Sequence, residues 1–71
     1  MTGDEFSAAL SSLGLEPGEF AAIRQADRRN VQRWLAGETE IPKDVPILLA
    51  VLAVPGALDA ARTELARRTR R

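Results

Sequence analysis

Arg28, Arg29, Gln32 and Arg33 offer the clearest chemistry in this chain. An arginine fork donates two parallel hydrogen bonds to a phosphate or to the O6 and N7 edge of guanine, and a glutamine amide pairs with adenine. On a helix starting after Asp27, a rotation of about 100° per residue gathers these four side chains into one arc, with Val31 and Trp34 opposite. One face of such a helix can be buried while the other meets a polyanion. A solvated helix face is the plain alternative for a cluster of charges. Trp34, three residues after Val31, belongs to the apolar side and is expected in the core, not on a ligand.

Other chemistries have little to work with. The chain has no cysteine and no histidine. That removes disulfides, thiolate metal sites, thiol nucleophiles, and the commonest metal ligand and general base. Glu38 and Glu40 are paired acids, but with no third ligand and no glycine-rich loop they read as turn solvation. No catalytic residue, metal or cofactor is expected, and the chain is not read as an enzyme.

Formal net charge is +0, yet the charge is segregated. Residues 1–19 hold four acids and no base. Residues 20–36 hold Arg24, Arg28, Arg29 and Arg33 against Asp27, residues 37–60 one lysine against four acids, and residues 61–71 five arginines against Glu64. Among the last, Arg67, Arg68, Arg70 and Arg71 would either track phosphate or merely solubilise the end of the chain. The apolar stretch Val45 to Ala57 is too short, and too broken by Pro46 and Pro55, to span a bilayer, and the acidic start lacks a signal peptide's basic region. A cytoplasmic protein with no membrane partner is expected.

The sequence around the arginine cluster reads as a series of short helices. Thr2-Gly-Asp-Glu5 fits a capping box, followed by the inward stripe Phe6, Ala9, Leu10 and Leu13, with Gly14 as the stop. Glu16-Pro17 opens a second helix carrying Phe20, Ala21 and Ile23, which ends near Gln25. Asp27 caps the third, with Val31, Trp34 and Leu35 inward and Gly37 closing it. After Ile41-Pro42, the residues Val45, Leu48, Leu49 and Leu52 mark a fourth helix, with Pro46 tolerated only in its first turn. Beyond Val54-Pro55-Gly56, a possible fifth places Leu58, Ala61, Leu65 and Arg68 on one face. No strand pattern stands out. The expected fold is an all-α bundle of four to five short helices, with residues 1–53 as the main domain and 54–71 as a C-terminal helix or tail.

Phe20-Ala21, Asp27, Val31, Trp34 and Gly37 fall, without a gap, where the lambda-repressor-like, Cro-type helix-turn-helix family has its [Phe/Leu]-Ala pair, small N-cap, Val/Ile, Trp and closing glycine. The chain resembles that family from Phe6 to about Leu52. It departs from the pattern at Gln25, where a turn glycine is usual, and at Glu16-Pro17, where Ser-Gln is usual at the second helix's phosphate-touching start. The resemblance implies that the third helix enters the major groove of an operator duplex, with Arg28, Arg29, Gln32 and Arg33 reading bases. Asn30 and Lys43 are then expected on the DNA backbone.

It also implies a two-fold homodimer on a pseudo-palindromic site. The apolar residues after Pro42 exceed what a small core needs, so Leu48, Leu52, Val54, Leu58 and Leu65 are candidates for that interface, unless they close the monomer core. The function so implied is a phage or bacterial transcriptional repressor or autorepressor with no small-molecule effector. Stand-alone domains of this kind include phage regulators, antitoxins and anti-CRISPR-associated autorepressors. The alternative is a protein-binding adaptor or antitoxin that uses the same scaffold and arginines on an acidic partner.

Overall fold

The computed structural model describes residues 1–69, and among them five helices and no strand: α1 (Gly3–Leu13), α2 (Pro17–Arg24), α3 (Arg28–Ala36), α4 (Asp44–Leu52) and α5 (Ala57–Thr69). Arg70 and Arg71 lie outside the described residues.

Local chemistry sets both ends of α1, the start of α2 and both ends of α3. The Thr2 hydroxyl accepts from the Glu5 N–H at 3.1 Å while Glu5 Oε1 accepts from the Thr2 N–H at 2.8 Å, closing the expected capping box. Gly14 leaves α1 at φ 67°, a left-handed conformation that costs glycine little, and the Leu15 N–H returns to the Leu10 carbonyl at 2.9 Å. Pro17 occupies the first turn of α2, where its missing N–H leaves no bond unmade. Pro46 stands third in α4, within the first turn as the sequence requires.

The core gathers around Phe6. Its ring meets Phe20 edge-on at 5.3 Å between centroids and Trp34 at 6.1 Å. Leu10, Leu15, Ala21, Val31, Ile41, Val45, Leu49 and Leu52 complete the buried set. Burying a large apolar side chain of this kind stabilises by ~1.5–3 kcal/mol, so α1, α2, α3 and α4 are held chiefly by this cluster. Leu52, expected on a partner-facing surface, is only 5% exposed and closes the monomer core. Leu48 and Leu58 are half-buried against that core, and Leu65 is half-buried beside Ile23. The large apolar side chains of α4 and the turn after it that face outward are instead Ile47, Val51 and Val54, 67%, 54% and 57% exposed.

From Ala57 to Arg68, no residue of α5 is fully buried. The helix packs on α2 and α4 through Leu58 and Ala61, and polar contacts hold it as well. The Arg62 fork spans Glu19 of α2 with Nε and Nη2 both at 2.9 Å, and Nη2 also donates to the Gly14 carbonyl at 3.1 Å. A second ion pair joins α2 to α4, with Arg24 Nε 2.6 Å from Asp44 Oδ2. No single helix among the described residues is long and apolar enough to cross a membrane.

Candidate nucleic-acid interface

Three residues, Gln25 to Asp27, separate α2 from α3 and decide how α3 is presented. Gln25 takes the left-handed conformation at φ 63°, and the Ala26 N–H then donates to the Ala21 carbonyl at 2.9 Å. Asp27 caps α3 by accepting from the Arg29 N–H at 2.8 Å. Its carboxylate is thereby engaged with the backbone at the helix start, where negative charge complements the dipole.

Val31 is 0% and Trp34 6% exposed, so they anchor one side of α3. Arg28, Arg29, Gln32 and Arg33 are all exposed on the other and together line one shallow recess. The structure therefore brings the four predicted side chains together. Ala36, which the sequence pattern alone does not single out, is exposed at the end of the same arc. Asn30 is exposed past Arg33 on the flank nearer Trp34, so it borders the arc. Lys43 is exposed at the N-cap of α4.

Arg28 differs from the other two arginines. A Cβ built on Gly18 would lie 3.2 Å from Arg28 Nε and 3.4 Å from its Cζ, so the guanidinium rests on the first turn of α2. Arg28 and Gln32 share with Glu16, Pro17, Gly18 and Glu19 a groove between α2 and α3. Glu16, the N-cap of α2, makes no side-chain capping bond.

The pairing of Glu19 with Arg62 is not visible in the sequence, because 43 positions separate the two and only the packing of α5 on α2 joins them. Hydrogen bonding to Glu19 raises the Arg62 pKa further above its ordinary value. The outward stripe Ile47, Val51 and Val54 does leave a signal, its spacing of four and three residues, which the surrounding run of apolar residues conceals. Comparison of the chain with family models, curated proteins and solved structures finds no match.

Proposed function

We propose that this chain is a sequence-specific DNA-binding regulator, a repressor or autorepressor that places α3 of a lambda-repressor-like helix-turn-helix in the major groove. The observation that carries this reading is the arc of Arg28, Arg29, Gln32 and Arg33, exposed together and backed by the buried Val31 and Trp34. The first turns of a recognition helix approach base edges, which is where these residues fall. Arginine at these positions favours a half-site containing guanine. Asn30 and Lys43 serve the phosphates in this reading.

A single short helix makes few contacts, so the proposal includes a two-fold pair of chains. Ile47, Val51 and Val54 supply the surface, because Leu52 is spent on the core. The segment from Val45 to Leu58 carries no charged residue, so two copies meet there without like-charge repulsion.

A second reading, an adaptor that sets its arginines on an acidic protein, draws support from Glu16 at the start of α2, where a carboxylate repels phosphate. Salt-dependent binding to duplex DNA tests the choice. Affinity for the duplex upstream of the chain's own gene is expected to fall by ~10³ between about 50 and 200 mM salt if about six phosphates are contacted. No binding at low salt would favour the adaptor.

A further inference from the structure

Glu19 sits where a carboxylate should hinder an arginine-based interface. It lines the same groove as Arg28 and Gln32, and Arg28 rests on Gly18, its neighbour in α2. A carboxylate that reaches a guanidinium can close into a charge-assisted pair, which an incoming phosphate or base must then break. Yet Arg28 makes no ion pair among the described residues. Both oxygens of Glu19 are occupied by Arg62, Oε2 by Nε and Oε1 by Nη2, and the bond from Nη2 to the Gly14 carbonyl fixes the fork from a third direction.

We propose that Arg62 is a positioning residue for the α3 interface: by holding the Glu19 carboxylate it keeps that group from closing on Arg28, and leaves the Arg28 guanidinium free for nucleic acid. The role rests on the DNA-binding reading of α3. It couples α5, which lies against α2, to an interface that α5 itself does not supply.

A positioning role for Arg62 differs measurably from two simpler ones. A fixed charge on Arg62 that acts on DNA directly contributes the same amount whatever stands at position 19, whereas a carboxylate released toward Arg28 gives a coupling between positions 19, 28 and 62. A residue that merely staples α5 changes stability and affinity together.

The test uses the full chain and the fluorescein-labelled duplex upstream of the chain's own gene, read by anisotropy at ~50 mM salt. Melting is followed in parallel by circular dichroism. Arg62→Ala is expected to weaken binding about 5- to 10-fold, the scale of coupling between contacting charges. Glu19→Gln, which removes the competitor, should bind at least as tightly as wild type. Glu19→Gln with Arg62→Ala should recover wild-type affinity while melting as low as Arg62→Ala alone, and Arg62→Ala should cost nothing further in an Arg28→Ala chain. An equal loss from Arg62→Ala in the wild-type and Glu19→Gln chains overturns the role, as does affinity that tracks melting temperature or a Glu19→Gln chain that binds more weakly than wild type. A wild type that fails to bind the duplex overturns the DNA reading and this role with it, while a binding wild type with equal losses overturns this role alone.

Discussion

A Cβ built on Gly3 would stand 2.7 Å from the carbonyl oxygen of Leu35 and 2.9 Å from that of Trp34. The start of α1 and the end of α3 therefore approach through backbone alone, and no side chain is there to move aside. Gly3→Ala is expected to destabilise the fold by ~1–3 kcal/mol, the usual cost of overpacking. Gly18→Ala makes the contrast, since its nearest obstacle is the flexible Arg28 side chain. Thermal unfolding followed by circular dichroism compares them, and a Gly3→Ala chain as stable as wild type would show that the approach is slack.

The helices are legible in the sequence because their boundaries are written in short-range chemistry: Thr2 with Glu5, Gly14, Pro17, Asp27 and Gly37 each act within a few residues of themselves. The arc on α3 is legible for a similar reason, because Val31 and Trp34 fix its orientation through helical periodicity. What escapes depends on contacts distant in sequence. Gly3 reads as part of a capping box, and nothing near it announces the carbonyl of Leu35. Leu52 and Val51 are equally apolar neighbours, and only the packing of α4 against α1 and α5 sends one inward and the other out.

Gln25 is the one described non-glycine residue at positive φ. A side chain in the left-handed region costs ~1–2 kcal/mol relative to ordinary helix geometry. Gln25→Gly relieves that strain but gives the unfolded chain more freedom, so the expected net gain is about 0.5–1 kcal/mol. A rise in melting temperature with unchanged helical content checks it. A fall would show that the Gln25 side chain makes a stabilising contact of its own.

Glu5 carries a pH dependence with a definite sign. Hydrogen bonding from the Thr2 backbone and hydroxyl lowers its pKa below the ordinary glutamate value. Its contribution is thus complete above the unfolded-state pKa and is lost as pH falls through the lower folded one. Glu5→Gln keeps an acceptor for the Thr2 N–H without a titrating proton, so its stability should decline less than wild type's over that acidic window. Parallel melts across acidic pH decide this, and identical slopes would dismiss the capping box as a source of acid sensitivity.

On DNA, the α3 arginines and Lys43 are expected to separate by what they recognise. Arg29→Ala or Arg33→Ala should cost about 1–3 kcal/mol on a cognate operator and little on scrambled duplex. Lys43→Ala should weaken both alike and reduce the salt slope by about one. Competition binding with the two duplexes measures the difference. Equal losses on both for the arginines would reassign them to phosphate.

The pairing of two chains is expected to depend on the stripe Ile47, Val51 and Val54, and not on Leu52. Three exposed side chains along α4 and the turn after it are a small surface beside the ~800 Å² per partner of a standard interface. The free dimer should therefore be weak, and a palindromic duplex should tighten it by holding two α3 helices about 34 Å apart. Val51→Glu places a charge at the centre of the stripe, where two-fold symmetry sets it against its own copy, and should give folded monomers with reduced operator affinity. Leu52→Glu instead buries a charge in the core and should lose the helical signal altogether. Analytical ultracentrifugation at tens of micromolar, with and without the duplex, distinguishes these outcomes. Wild-type and Val51→Glu chains that sediment alike in both conditions would dismiss the stripe as a pairing surface.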